Sequence, residues 1–250
     1  MGRLFVMIVL ITLLAGCGRK GNLVPPSSTV PAAVADLRAD QKGDRFYVTW
    51  TAPASDAGGK PLKDLAGFRL FRREVLPPEE DCESCPTAYH LLQQVDLEYP
   101  KGVQVDNNRY IYTDTDLKDG TTYQYKLVAY NRDGAESDSS RVRSKKVIAP
   151  AAPRLTAAST PDSVILEWQP ASVAGADRAG FHVYRRRGSD SATSLLLTPT
   201  PVKGNRYVDL HADFGVTYTY VVREVLSVNG GQLVEGAVSN EVTGSLAMPE

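Results

Sequence analysis

The chain is poor in the side chains on which many enzymes and nucleic-acid-binding proteins depend. It has only three histidines, His90, His182 and His211, which are spread along the sequence, and only three cysteines. Its 28 lysines and arginines are balanced by 29 aspartates and glutamates, which gives a formal net charge of −1. Non-specific binding to nucleic acid depends on a strong basic field. This balance therefore argues against a nucleic-acid partner.

Known catalytic signatures are absent as well. The sequence has no Gly-x-Ser-x-Gly elbow, no His-Glu-x-x-His motif, no phosphate-binding glycine loop and no dinucleotide fingerprint. The carboxylates are scattered over predicted turns, as solvated surface groups usually are. We therefore expect a protein that is not an enzyme and that needs no cofactor.

Long apolar runs are missing everywhere except at the start of the chain. There, residues 4–14 form an almost unbroken apolar stretch after Arg3. As a helix this stretch would span roughly 16 Å, about half of the hydrocarbon core of a bilayer. It is too short for a membrane span and is typical of the apolar region of an export signal peptide, predicted at residues 1–16.

The next residues suggest how the exported protein is held. The sequence Leu14-Ala15-Gly16-Cys17 resembles the bacterial lipobox, in which the cysteine is acylated and becomes the first mature residue. The resemblance implies a covalent lipid on Cys17 and an anchor on the membrane surface. The alternative is an ordinary cleaved signal followed by an incidental cysteine. Gly18 stands where Asp would resemble an inner-membrane retention signal, which implies delivery to the outer membrane in a diderm cell envelope.

Residues 17–30 then form a predicted flexible tether. This stretch contains Gly, Pro and Ser and little apolar content. Fully extended, it would reach roughly 45 Å at about 3.3 Å per residue. Residues 17–25 also resemble the mature start of a small lipoprotein family that attends lipopolysaccharide-transport assembly, although Asn22 stands where that family typically has Pro. We interpret the segment as the start of a generic envelope lipoprotein.

The rest of the chain is organised as an internal repeat. Apolar residues two apart end on Trp50 in the first copy and on Trp168 in the second, as expected for strands with one buried face. No long stretch has helical periodicity. The predicted fold class is therefore all-β.

The repeat resembles the fibronectin type III fold, an immunoglobulin-like sandwich of about 100 residues. The positions that carry the resemblance occur twice and in the same order. They are the strand-B tryptophans, the strand-C phenylalanines and the tyrosine corners: Trp50, Phe68 and Tyr123, then Trp168, Phe181 and Tyr218. The resemblance implies that these six residues belong to the structural core. It also implies a first domain at residues 31–149, a linker at 150–153 and a second domain at 153–246.

The first copy is longer than the second, chiefly through an insertion around residues 74–108. This insertion contains Cys82 and Cys85, for which we predict a disulfide because exported proteins meet an oxidising compartment. A metal knuckle that also uses His90 lacks a fourth ligand at good spacing. A thioredoxin-like redox pair would require a helix N-terminus in a βαβ unit. Insertions of this kind are common places for added function.

Both copies place an aromatic residue and arginines at the end of strand C. Phe71 and Tyr184 break the inward alternation, so we expect them to face outward. An exposed apolar patch rimmed by arginine would be a binding face for a protein or a polyanion. The predicted face consists of Phe71, Arg72, Val128, Tyr130, Tyr184 and Arg185. The alternative is a solvated strand end whose arginines extend their charged heads into water.

One residue departs from the repeat. Glu224 occupies an inward position that Ala129 holds in the first copy, and we expect a β-bulge to turn it outward. Two functions remain open. The preferred one is a membrane-anchored envelope lipoprotein that binds or scaffolds an envelope protein; the other is an accessory lipoprotein that binds a surface carbohydrate or polymer.

Overall fold

The computed structural model describes residues 30–171, 177–188, 194–228 and 231–247. The predicted signal peptide at residues 1–16, the lipid acceptor Cys17 and the tether up to residue 29 lie outside these ranges. Across the described ranges the fold is all-β, and no helix is long and apolar enough to cross a membrane.

Eight strands make up the first sandwich. One of its sheets has the order β1-β2-β6-β5, and the other has the order β4-β3-β7-β8. The strands are β1 (Arg38–Lys42), β2 (Arg45–Thr51), β3 (Leu65–Glu74), β4 (His90–Asp96), β5 (Gln104–Asp106), β6 (Arg109–Asp114), β7 (Thr122–Asn131) and β8 (Ser140–Lys145). Neighbouring strands within these two sheets pair antiparallel.

Eight further strands make up the second sandwich over the ranges that the structure describes. A three-stranded sheet, β13-β10-β9, faces a sheet with the order β12-β11-β14-β15, in which β16 also pairs with β14. The strands are β9 (Arg154–Ser159), β10 (Val164–Gln169), β11 (Arg178–Arg187), β12 (Leu195–Leu196), β13 (Arg206–Asp209), β14 (Tyr218–Val228), β15 (Gln232–Val238) and β16 (Val242–Gly244). The predicted all-β class and the pair of tandem sandwiches are confirmed.

Each sandwich has its own apolar core between its two sheets. Trp50 is fully buried and stacks on Tyr110 at 5.7 Å between ring centroids, while Phe68 meets its edge at 5.6 Å. In the second sandwich Trp168 packs against Phe181 at 5.3 Å. Aromatic pairs in such geometries add to the free energy gained by burying their area.

A tyrosine closes the turn before β7 and before β14. The backbone N–H of Lys118 donates to the hydroxyl of Tyr123 at 2.9 Å, and the hydroxyl of Tyr218 donates to the carboxylate of Asp213 at 2.6 Å. The glycine three residues before each tyrosine has a positive φ, 82° at Gly120 and 73° at Gly215. Such a φ favours glycine, because it has no Cβ to clash.

The two sandwiches share one sheet. β1 of the first pairs parallel with β15 of the second through Lys42 and Glu235, so that nine strands form one continuous sheet. The Gly43 amide donates to the Glu235 carbonyl at 2.8 Å, and the Gln232 side chain donates to Ser144 at 3.1 Å. Because backbone hydrogen bonds cross the junction, the linker is not the only connection between the sandwiches.

The expectation for Glu224 is wrong in its main point. The register of β14 against β15 does shift between Arg223 and Val225, as a bulge requires. Glu224 nevertheless stays buried, at 2 % exposure, and accepts a hydrogen bond from Nε of Arg178 at 2.7 Å. The arginine supplies the opposite charge that an inward carboxylate needs, so the chain has no reason to turn Glu224 outward.

Candidate functional site

The outer face of β3, β7 and β8 is covered by residues 75–89, the loop that follows β3. Arg73, only 3 % exposed, donates from Nη2 to Asp81 at 3.0 Å and from Nε to Gln124 at 2.9 Å. The Lys126 ammonium lies 4.3 Å from the ring centre of Tyr89, at the end of the same loop. The loop thus packs its acidic and aromatic side chains on a basic sheet face. We call it the covering loop.

A disulfide between Cys82 and Cys85 holds the tip of the covering loop, as predicted from the sequence. Between the two cysteines, Glu83 receives hydrogen bonds from Tyr89 at 3.1 Å and from Gln124 at 3.2 Å. Arginines of β8 and β3 surround the same carboxylate: Arg141 at 2.9 Å, Arg143 at 3.4 Å and Arg73 at 3.7 Å. Burial works to raise the pKa of Glu83, but hydrogen bonds from Tyr89 and Gln124 and the charges of Arg141 and Arg73 lower it below its ordinary value. Glu83 therefore clamps the loop to the sheet as a carboxylate.

The exposed apolar patch predicted from the sequence does not exist. Val128 and Tyr130 are buried, and Phe71 is half-buried with the Lys126 ammonium 4.6 Å from its ring centre. Tyr130 donates to the Val95 carbonyl at 3.3 Å while the Arg69 guanidinium lies 4.6 Å from its ring centre. Cations packed on these rings remove the apolar surface that alternation alone predicts.

The predicted rim arginines are also engaged inside the protein. Nη1 of Arg72 donates to both carboxylate oxygens of Asp114 at 2.8 Å, and to the carbonyl of Asp116 at 2.7 Å. The buried hydroxyl of Tyr125 donates to the same Asp114 carboxylate at 2.7 Å. Burial, together with the charge of Asp114 and this hydrogen bond, raises the pKa of Tyr125 well above its ordinary value. Arg72 thus belongs to a buried polar cluster and not to an open binding surface.

The second sandwich repeats this cluster. Nη1 of Arg185 donates to Asp209 at 2.9 Å and to the His211 carbonyl at 2.8 Å, and Tyr220 donates to Asp209 at 2.9 Å. Sequence reasoning missed both aspartates, although a signal was present. Asp114 precedes Tyr123 by nine residues, and Asp209 precedes Tyr218 by the same number.

Among the described residues, no loop covers the corresponding outer face of the second sandwich, which forms the floor of a cleft. The cleft lies where the second sandwich meets the outer face of β1, β2, β5 and β6, and its volume is about 510 Å³. Sixteen residues from both sandwiches line it: Asp40, Lys42, Tyr47, Thr49, Gln104, Asp106, Arg109, Ile111, Tyr184, Arg186, Ser194, Thr219, Val221, Arg223, Val238 and Glu241. Of the predicted binding face, only Tyr184 lies here. We call this feature the junction cleft.

Tyr184 is 8 % exposed, which corrects the expectation that it is an exposed aromatic. Its hydroxyl donates to Glu235 and accepts a hydrogen bond from Nζ of Lys42 at 2.8 Å. The outward direction predicted for the ring is compatible with this burial, because Lys42 of the first sandwich covers it. Burial, followed by the charge of Glu235, raises the pKa of Tyr184 above its ordinary value. The tyrosine therefore stays a neutral hydrogen-bonding bridge between the sandwiches.

Glu235 is the centre of this bridge. Nδ1 of His182 lies 3.0 Å from its carboxylate, Lys42 lies at 3.5 Å and Arg223 at 3.7 Å. Burial works to raise the pKa of Glu235. The hydrogen bond from His182, the charge of Lys42 and the hydrogen bond from Tyr184 outweigh it, so the pKa lies below its ordinary value. The junction is therefore fastened around a buried, ionised carboxylate.

The junction cleft is lined by a mixture of charged, polar and aliphatic side chains. Four of its lining residues are basic, three are acidic, and aliphatic side chains of Ile111, Val221 and Val238 lie among them. Within the described ranges no group of histidine, cysteine and carboxylate side chains is placed to hold a metal ion. Charged groups with aliphatic neighbours can orient and hold a ligand by hydrogen bonding and burial.

Comparison with known proteins finds similarity in structure only. No family model and no curated protein matches the chain. The FN1–FN3 domains of chicken CNTN1 are similar over 87 % of this chain and 68 % of that one, with 15 % identity and a TM-score of 0.37. An Fn3-like protein from Clostridium thermocellum is similar over 41 % of this chain and 98 % of that one, with 26 % identity and a TM-score of 0.32. Both neighbours are fibronectin type III proteins.

Proposed function

We propose that the protein is a lipid-anchored binding module of the bacterial cell envelope, which presents the junction cleft to a protein partner and catalyses no reaction. The observation that carries this proposal is the sheet shared through Lys42 and Glu235. Because β1 and β15 are neighbours in one sheet, side chains of both sandwiches form one surface. A rigid surface of this kind loses little conformational entropy on binding.

The membrane part of the proposal rests on the sequence. A lipid on Cys17 would hold the protein at a membrane surface, and residues 18–30 would separate the first sandwich from that surface. Gly18 after the cysteine favours the outer membrane of a diderm cell. Replacing the acceptor, Cys17→Ser, should move the protein from the membrane fraction to the soluble fraction. Membrane association that survives this change would contradict the lipid anchor.

A protein partner is favoured over a glycan by the position of the aromatic residues. Glycan grooves usually offer exposed aromatic faces. The junction cleft has two tyrosines: Tyr184 is buried with its hydroxyl occupied, and Tyr47 is half-buried. The strongly exposed rings, Tyr99 and Phe214, do not line the cleft. Charged and aliphatic side chains dominate the cleft, as they do in the polar surroundings of protein interfaces.

Site-specific photo-crosslinking in native membranes tests the proposal. A photo-reactive amino acid would replace Val238, which lines the junction cleft at 43 % exposure, in the full-length lipoprotein. The matched control position is Leu91, an aliphatic residue on β4 with 52 % exposure that lies outside the cleft. We expect a discrete crosslinked envelope protein from position 238 and none from position 91. Identical products from both positions, or none from position 238, would overturn the proposal.

A further inference from the structure

An arginine at the equivalent position of the two sandwiches is buried in the first and partly exposed in the second. Arg73 of β3 and Arg186 of β11 occupy matching positions, six residues after Gly67 and Gly180. The Arg73 side chain is 3 % exposed and forms ion pairs with the carboxylates of Asp81 and Glu83 in the covering loop. The Arg186 side chain is 27 % exposed and lines the junction cleft. In the part of the chain that the structure describes, the same sheet face is therefore covered in the first copy and lines a cleft in the second.

Arg186 has unused capacity for hydrogen bonds. Its Nε is buried and has no hydrogen-bond partner among the described residues. Its one ion pair there joins Nη2 to Glu241 at 2.7 Å, and the Glu241 side chain is 56 % exposed. An exposed ion pair contributes little free energy and exchanges readily with an incoming group. A buried donor without an acceptor is unfavourable, so a movement of the Arg186 side chain that brings Nε to an incoming carboxylate gains free energy.

The surroundings of Arg186 favour an anionic group further. Arg109 lines the same cleft, as do Lys42 and Arg223, which also face the carboxylate of Glu235. Basic residues outnumber acidic ones by four to three among its lining residues. Thr219, the residue that matches Gln124, stands beside Arg186 in the pairing of β11 with β14. Gln124 helps to hold Glu83 on Arg73, so the first sandwich already shows a carboxylate seated on this face.

The shape of the site favours an extended ligand. A second cavity, of about 720 Å³, shares Lys42, Tyr47, Arg223 and Val238 with the junction cleft. The two together form a groove that runs along the junction of the sandwiches. Aliphatic side chains of Ile111, Val221 and Val238 lie along it. An extended peptide places alternate side chains on one face, so a carboxylate and an aliphatic residue can face the groove together.

We infer that the junction cleft binds an extended acidic segment of a protein partner, with a carboxylate on Arg186 in the way that Asp81 and Glu83 sit on Arg73. This inference rests on the proposed function and names the chemistry of the partner. Glu241 then acts as an internal competitor for Arg186. An acidic segment displaces it during binding, while the clusters around Asp209 and Glu235 stay intact.

Two synthetic peptides test the inference on the full-length protein in detergent. The acidic probe is acetyl-Glu-Ser-Val-Ser-Glu-amide, in which both Glu residues and the Val share one face of an extended chain, and the matched probe replaces each Glu by Gln. We expect calorimetry to show about tenfold tighter binding of the acidic probe, as one charge-assisted contact gives. Arg186→Gln should remove this preference, and Glu241→Gln should increase it. Arg206→Gln, on the opposite sheet with a half-exposed side chain, is the matched control and should change nothing.

Each outcome separates the inference from the proposed function. Equal binding of both probes, binding of neither at millimolar concentration, or a preference that survives Arg186→Gln would overturn the acidic-segment inference. Crosslinks from position 238 that persist in these cases would leave the protein-binding proposal standing. Loss of those crosslinks in Arg186→Gln, with unchanged hydrogen exchange of the second sandwich, is the result expected when both hold.

Discussion

The two sandwiches carry the same buried cluster but use their outer faces in opposite ways. Each joins an arginine of its third strand to an aspartate and a tyrosine: Arg72, Asp114 and Tyr125 in the first, and Arg185, Asp209 and Tyr220 in the second. On the adjoining outer face, the first sandwich is covered by residues 75–89. No described residue of the second sandwich forms a loop over the matching face, which lines the junction cleft.

The comparison separates features that maintain the fold from features available for binding. The buried clusters recur in both copies because each sandwich has an arginine that must be neutralised. Among the described residues, the covering loop and the junction cleft occur once each, where one copy departs from the other. An insertion therefore need not carry the function itself. Here it covers a surface in one copy, whereas in the described part of the other copy the matching surface lines the junction cleft.

Removing the buried aspartates should have the largest effect on stability. Asp114→Ala and Asp209→Ala each leave a mostly buried arginine and a buried tyrosine hydroxyl without their shared acceptor. We expect each to lower the free energy of unfolding of its own sandwich by about 3–5 kcal/mol. Since the sandwiches need not unfold together, hydrogen exchange with mass spectrometry should be used to assess each separately.

Asp133→Ala, at an exposed turn position, is the control for these two variants and should change stability by less than about 0.5 kcal/mol. If either buried-aspartate variant lowered the free energy of unfolding by less than about 1 kcal/mol, the two clusters would not stabilise their sandwiches to the same extent.

Replacing the matched arginines should separate the covered face from the open one. Arg73→Gln breaks hydrogen bonds with Asp81 and Gln124 in a buried site, and should cost about 2–3 kcal/mol. Arg186→Gln breaks an ion pair with a half-exposed glutamate and should cost less than about 1 kcal/mol. Hydrogen exchange with mass spectrometry, analysed separately for each sandwich, measures both losses. Equal losses would mean that Arg186 is held as tightly as Arg73.

A methyl group placed at the junction should loosen it. A Cβ at Gly236 would lie 2.7 Å from the backbone oxygen of Pro150, so β15 or the linker would have to shift. We expect Gly236→Ala to cost about 1–2 kcal/mol and to speed exchange of the Ala237 amide, which donates to Pro150 at 2.8 Å. Gly204→Ala meets nothing within 4 Å and serves as the control. Unchanged exchange at Ala237 in Gly236→Ala would contradict the close approach.

Acid should also weaken the junction, by a smaller amount than Gly236→Ala. The pKa of Glu235 lies below its ordinary value of 4.5, because hydrogen bonds and nearby cations outweigh burial. The unfolded chain therefore binds the proton more readily, so the contribution of Glu235 is complete above about pH 4.5 and is lost as pH falls through the lower folded pKa. Between pH 7 and pH 3, the midpoint temperature of thermal unfolding should fall less steeply in Glu235→Gln than in the wild type. An equal slope in Glu235→Gln would show that this carboxylate is not ionised at the junction, and Glu241→Gln is the exposed control.

The sequence predicts the interior of this protein better than its surfaces. Trp50 and Trp168 could be placed because one-sided burial leaves an alternating pattern of apolar residues. The aspartate partners of Arg72 and Arg185 left a weaker signal, a common distance from the tyrosine corner. The alternation of a strand predicts which face of the sheet a side chain points to, but not which other groups pack over it. It therefore could not show that Lys42 buries Tyr184 or that cations pack on Tyr130.

The pairing of β1 with β15 had no signal in the sequence. Edge strands of two sandwiches pair through backbone groups, which every residue except proline carries in the same form. Nothing in the side chains of residues 38–42 therefore distinguishes a free edge from a joined one. The junction cleft, which exists only because of this pairing, could not be predicted for the same reason.

Amide hydrogen exchange of Gly43, measured by NMR on the full-length protein, tests most directly whether the two sandwiches form one body. The Gly43 amide donates to the carbonyl of Glu235 across the junction at 2.8 Å. A stable shared sheet predicts exchange much slower than in an unstructured chain, with protection that falls in Gly236→Ala and stays unchanged in Gly204→Ala. Exchange of Gly43 at the rate of an unstructured chain in the wild type would contradict the shared sheet, and with it the junction cleft.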